Sequence, residues 1–185
     1  DNAIVFDNVP EEEYEATQTY FIKLARITTR AMHKVGYAYC PADMMASNPR
    51  WCQSLSEWKK QYHIWITDPS PETQLLSAIF FDYSYVFGDT QLVTKLSDSI
   101  LDTLDANPMF YRVMAKDAIR SPSPLGFFRQ FLVEEGGDHK DFFDIKARAL
   151  MPLIDAARVL SLNHKLRNIN NTAGRFERLA ELEQN

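Results

Sequence analysis

The sequence lacks most of the features that would assign a class at once. No apolar run approaches the roughly 20 residues a membrane-spanning helix needs, so no membrane association is expected. No basic start leads into an apolar stretch and a small-residue cleavage site, so no signal peptide is read. The 6 glycines form no phosphate-cradling loop. Neither a Gly-x-Ser-x-Gly elbow nor a Cys-x-x-Cys pair occurs, which removes kinase, serine-hydrolase and zinc readings. Basic charge is not in excess: 20 Lys and Arg stand against 25 Asp and Glu, for a formal net charge of −5. Without a basic face, general nucleic-acid binding is not expected. Only 2 cysteines are present, Cys40 and Cys52, and two thiols in a chain this size suit a reducing cytoplasm.

Apolar residues make up 45% of the 185, enough for one good core or two small ones. Ala3-Ile4-Val5-Phe6, bracketed by Asp1 and Asp7, reads as a buried strand. Glu11 to Glu13 start a helix whose Tyr14, Tyr20, Phe21, Leu24, Ile27 and Ala31 recur at helical spacing as one buried face, and Gly36 ends it. Tyr37-Ala38-Tyr39 is a candidate second strand. Ser47-Asn48-Pro49 caps a helix carrying Trp51, Leu55, Trp58, Tyr62 and Trp65 toward a core. Ser70-Pro71, Asp89 and Asn107-Pro108 open three more. After a Pro-rich interruption at 121–124, an apolar run at 125–128 and a turn at 136–138, helices are predicted around 150–160 and from Thr172 to near Leu182. One or two strands followed by six or seven helices imply a mainly α protein with a helical bundle.

Three places could carry chemistry. A carboxylate at a strand mouth, such as Asp1, is where Mg²⁺-dependent phosphoryl chemistry places a metal ligand, although a solvated strand-end acid is the plainer reading. Asp43, in a loop where Cys40, Met44, Met45 and Trp51 crowd together, is a candidate catalytic carboxylate. Lys146, Arg158 and Arg175 could form a basic wall that meets phosphates, or could serve in ion pairs, Asp155 and Arg158 being three apart on one helix. Asp82 closes an apolar helix and has no obvious capping duty. Asp138, His139, Asp141 and Asp144 are spaced too irregularly for a metal site and read as a solvated loop.

Several segments carry a resemblance: Asp1-Asn2-Ala3-Ile4-Val5, the run from Cys40 to Trp51, Phe80-Phe81-Asp82 followed by Gly88-Asp89, Pro124-Leu125-Gly126-Phe127-Phe128, Asp144-Ile145-Lys146, and the run from Pro152 to Arg158. In this order they resemble the nucleotidyltransferases of bacterial signalling proteins that lie downstream of cyclic-nucleotide-binding and CBS domains. Those are similar in turn to protein-PII uridylyltransferases and glutamine-synthetase adenylyltransferases. The resemblance implies a nucleotidyltransferase core (1–66, seen here as its C-terminal remnant) and a helical substrate-binding-type domain (67–185), with the boundary between Gly36 and Pro69.

It further implies transfer of NMP from an NTP to a protein or small-molecule acceptor, with Mg²⁺ in the intact protein and sensor domains upstream. Asp1 matches the second acid of an Asp-x-Asp strand, which makes it the metal ligand and a catalytic residue. Asn2 follows it as a nucleotide- or substrate-binding position, with Lys146, Arg158 and Arg175. The Gly-Ser loop and first Asp of the family pattern do not occur, so this fragment is expected to be inactive alone. Ala42 and Asp43 stand where the family commonly has paired glycines. Ser84 replaces a common Arg, and Cys40 lies where related adenylyltransferases carry a third carboxylate. A non-catalytic helical regulatory or interaction module is the competing reading, with the tryptophan row as a docking surface or a core stripe. A homodimer is left open.

Overall fold

Two three-residue strands pair in parallel, and parallel pairing obliges the chain to cross over between them. The computed structural model describes residues 1–119, 133, 142–167 and 169–183. Strand β1 (Ile4–Phe6) pairs with β2 (Cys52–Ser54) in the register Ile4↔Cys52, Val5↔Gln53, Phe6↔Ser54. The crossover contains α1 (Glu11–Lys34). Its inward residue Ile22 joins Phe6 and Cys52 in one buried cluster, flanked by Ile4, Val9, Tyr14 and Phe21. The Phe6 ring lies 5.4 Å from Phe21 and 5.5 Å from Tyr14, centroid to centroid. Gln18 on the same helix donates to the Cys52 carbonyl at 2.9 Å, so the crossover helix is tied to the strand it leads to.

The second strand does not fall where the aromatics suggested. Residues 37–39 form no strand. They are consumed in ending α1: Gly36 takes φ 108°, Gly36 N donates to His33 O, and Tyr37 N reaches back to Met32 O. This pairing of helix-end carbonyls with a left-handed glycine is a Schellman stop. His33 Nδ1 donates to Tyr37 O at 3.0 Å, and its ring stacks on Tyr39 with centroids 4.2 Å apart.

The helix expected from Pro49 is likewise interrupted. Asn48 does cap, accepting from Arg50 N at 3.0 Å, but the capped element is a 3-10 turn, Pro49–Trp51. β2 follows it, and only then α2 (Leu55–Thr67). Cys-Gln-Ser carries no β-branched signal, so this strand owes its existence to its parallel partner.

The remaining helices follow their caps. α3 (Pro71–Phe80) starts with a complete capping box between Ser70 and Thr73. Before α4 (Thr90–Ala106), Asp89 Oδ1 accepts from Gln91 N at 2.8 Å. Asn107 does two things, its carbonyl accepting from Phe110 N at the start of α5 (Met109–Ala118) while its side chain donates to Thr103 O behind it. A π-helical turn, Lys146–Leu150, runs into α6 (Met151–Asn163), which ends on a left-handed Lys165. α7 (Thr172–Glu183) is capped by Asn171, whose Oδ1 accepts from Gly174 N at 2.7 Å. The described chain is therefore mainly α, with seven α-helices and one two-stranded sheet. The readings at 121–128 and 136–138, with His139 and Asp141, lie outside the described residues.

The chain forms two compact units: Asp1–His63 with Tyr85–Ile100, and Ile64–Ser84 with Leu101–Asn185. In the first, Trp51 and Trp58 are buried with ring centroids 6.2 Å apart, and Trp58 Nε1 donates to Ile4 O at 2.9 Å. In the second, α6 packs on α5 and α7. Trp65 and Phe80 meet at 5.5 Å, and Phe81 and Phe110 at 5.7 Å. All three tryptophans are core residues. No described helix is long and apolar enough to cross a membrane.

Both cysteines are free thiols. Burial pushes the Cys52 thiol up to about 11, while Cys40 is partly exposed. Thiol reagents at neutral pH are therefore expected to modify Cys40 in the folded protein and Cys52 only on unfolding, counted as one and two labelled thiols by mass. The raised Cys52 value also has a sign: the folded state keeps a proton that the unfolded chain gives up. Stability from this group is whole below the ordinary thiol range and is lost as pH rises toward about 11.

Candidate functional site

The mouth of β1 is bonded to the loop that precedes β2. Asn2 N donates to Met44 O at 3.0 Å, and the Asn2 side-chain oxygen accepts from Ala46 N at 2.9 Å. Asn2 thus extends the strand pairing by side chain as well as backbone, and it leaves Asp1 exposed at the edge of this loop. Asp43 adopts φ 52°, a left-handed conformation uncommon for a residue with a side chain. The position is where paired glycines are common in the family that the sequence resembles, and glycine takes this conformation without steric cost. Asp43 holds it through three contacts. Its carbonyl accepts from Trp51 Nε1 at 3.1 Å and from Asn48 Nδ2 at 3.3 Å, while its carboxylate accepts from Asn48 Nδ2 at 3.0 Å.

Magnesium is held by one or two carboxylates in near-octahedral geometry, with waters and substrate phosphates completing the shell. Asp43 spends an oxygen on Asn48, and among the described residues no group of three or more His, Cys, Asp or Glu side chains could hold a metal ion. Asp1 offers one carboxylate.

The second candidate lies within the helical unit. Asp82, just past the end of α3, receives two arginines from two other helices. Arg158 of α6 grips it with a fork, Nε to Oδ1 at 3.2 Å and Nη2 to Oδ2 at 2.5 Å. Arg175 of α7 adds Nη1 to Oδ1 at 2.7 Å and donates through Nε to Ile169 O at 3.0 Å. The fourth side chain is Asp155, one turn before Arg158 on α6, which accepts from Arg158 Nη1 at 2.7 Å. Both arginine side chains are 6% exposed, and each aspartate is 25% exposed. Burial by itself would lower the Arg158 value, but the hydrogen bonds and charges of Asp82 and Asp155 outweigh it and hold the guanidinium above its ordinary range. Two cations against two anions leave the cluster formally neutral. Ser161, one turn beyond Arg158, is buried with its hydroxyl unpartnered among the described residues.

The residues singled out by sequence thus part company. Asp1, Asn2 and Asp43 meet at one strand mouth and its loop. Arg158 and Arg175 meet on Asp82, and the expected Asp155–Arg158 pair is present. Lys146 stands apart from them, exposed on the π-helical turn and without an ion pair among the described residues. Sequence reasoning noticed Asp82 but did not give it its partners, which lie 76 and 93 positions further along the chain. An acid closing an otherwise apolar helix was the available signal.

Two family models match the chain. The one described as "Putative nucleotidyltransferase DUF294" covers residues 1–72. The one described as "Putative nucleotidyltransferase substrate binding domain" covers residues 108–184. No curated protein and no solved structure matches it.

Asp82→Ala is expected to destabilise the protein by about 3–5 kcal/mol, because the buried Arg175 loses its counter-ion and the buried Arg158 loses one of its two. Replacing Asp82, Arg158 and Arg175 together by apolar residues of similar volume is expected to cost less than the single change. Urea unfolding followed by circular dichroism compares the two.

Proposed function

We propose that this chain, in which two regions match models of nucleotidyltransferase type, serves the transfer of an NMP group from an NTP to a protein or small-molecule acceptor. In such a transfer an acceptor nucleophile attacks the α-phosphorus, the bond to the bridging oxygen breaks, pyrophosphate leaves, and the acceptor proton passes to a base. One observation carries the reading: the first matched region contains a strand whose exposed end bears Asp1 and is bonded through Asn2 to the 43–46 loop. This geometry keeps an acid at the edge of a rigid parallel pair, and positioning is what such catalysis requires. Asn2 acts by holding Asp1 and the loop together, and Asp43 by shaping the loop.

Lys146 is an exposed basic residue of the helical unit that can meet an incoming phosphate. Arg158 and Arg175 support that unit through Asp82. The described carboxylates do not by themselves complete a magnesium site, so the chain alone is expected to be inactive and to act with further ligands. A place in the cytoplasm, with sensor domains upstream and protein-PII uridylyltransferases as relatives, belongs to the same proposal. The two free thiols support the compartment.

A second reading, a non-catalytic regulatory or interaction module, has one observation in its favour: the basic groups expected to meet phosphates are largely spent on Asp82. Labelled ATP and UTP, supplied with Mg²⁺ and candidate acceptors to a longer protein containing this chain, separate the two. Transfer that falls by at least about a hundredfold in Asp1→Asn and shows a raised KM in Lys146→Ala is the expected result. Absence of transfer, or transfer indifferent to Asp1→Asn, favours the module.

A further inference from the structure

The apolar residues of α1 do not form the one buried face that their spacing suggested, because they fall on two sides of the helix, and the second stripe is exposed. Tyr14, Phe21, Ile22 and Ala25 occupy its inward side. At 3.6 residues per turn, Tyr20, Leu24, Ile27 and Ala31 align on the other side. Tyr20 is 63% exposed, Leu24 43% and Ile27 69%. Intervals of four, three and four residues are those of a two-helix seam.

The charges on this helix are segregated along its length. Glu11, Glu12, Glu13 and Glu15 are its acids, with no Lys or Arg among them, while Lys23, Arg26, Arg30 and Lys34 follow with no acid. The helix dipole favours acids in the first turn and bases in the last, but it fades within a turn and does not account for Lys23 and Arg26 in mid-helix. A helix charged this way repels a parallel copy of itself and attracts an antiparallel one.

We infer that this face of α1 binds the same face of a second copy of the chain, antiparallel about a two-fold axis near Leu24. About such an axis, Leu24 meets the partner's Leu24 and Tyr20 packs on the partner's Ile27. Glu13 comes opposite the partner's Lys34, and Glu12 lies beside it on the same flank as the partner's Arg30, about a turn and a half away. The contact is isologous and closes on itself. One helix pair is a small interface, so the dimer dissociates readily and is weakened by salt.

Sedimentation velocity on the full chain at rising concentration, in low and high salt, tests this. A concentration-dependent dimer is expected, weakened by salt and lost in Leu24→Glu and in Ile27→Glu. Glu12→Lys with Glu13→Lys in one chain, and Arg30→Glu with Lys34→Glu in another, should each be monomeric alone and pair when mixed. The mixing result shows that these ends pair between copies, and it decides the matter should a glutamate variant lose its helical circular dichroism. The antiparallel order follows from the unmodified chain pairing at all, since a parallel pair sets like charges together. A chain monomeric at every concentration overturns the inference and assigns the stripe to another polypeptide. So does a dimer indifferent to both glutamate substitutions, or a mixture that fails to pair.

Discussion

One carboxylate organises the helical unit. Asp82 follows α3, and the two guanidiniums that converge on it come from α6 and α7, so a single side chain joins three helices. A buried cation is tolerated only with a counter-charge and hydrogen bonds. Arg158 has both from Asp82 and Asp155. Arg175 has Asp82 and a backbone carbonyl. Apolar packing alone would allow these helices to slide, since hydrophobic burial has no direction. A forked guanidinium–carboxylate pair does have direction, and it sets the register of α6 against the end of α3.

The other unit depends on a different kind of constraint. Its two strands are three residues long, too short to stand alone. They persist because Phe6 and Cys52 sit in the cluster that Ile22 completes, and because Gln18 and Trp58 each hydrogen-bond a strand carbonyl. The strand mouth is therefore a consequence of the core beneath it. Asp1 and Asp43 are presented by elements fixed through Asn2, Asn48 and Trp51.

Much of this was legible before any coordinates. Capping residues are local signals, and Ser70 and Asp89 marked their helices correctly because each bonds within a few positions of itself, while Asn107-Pro108 marked the start of α5 without a side-chain cap. The strand at 52–54 was not legible: nothing in Cys-Gln-Ser prefers extension, and only β1 beside it makes it a strand. The aromatic run at 37–39 had the composition of a strand and became a helix terminus instead, because Gly36 allowed the chain to turn back on α1.

For the candidate sites the division is similar. Sequence alone determined the helical class, the caps of α3 and α4, the short first strand, the reach of Asp155 to Arg158 as one of two readings, and the residue types available to meet a phosphate. Each of these rests on periodicity or on contacts within about a turn of helix. Tertiary structure alone decided that Arg158 and Arg175 share one carboxylate, that Asp43 lies in a left-handed bend anchored by Trp51, and that all three tryptophans are core. Those outcomes depend on groups far apart along the chain. Partner choice at that separation follows from how the helices pack, which no local pattern records.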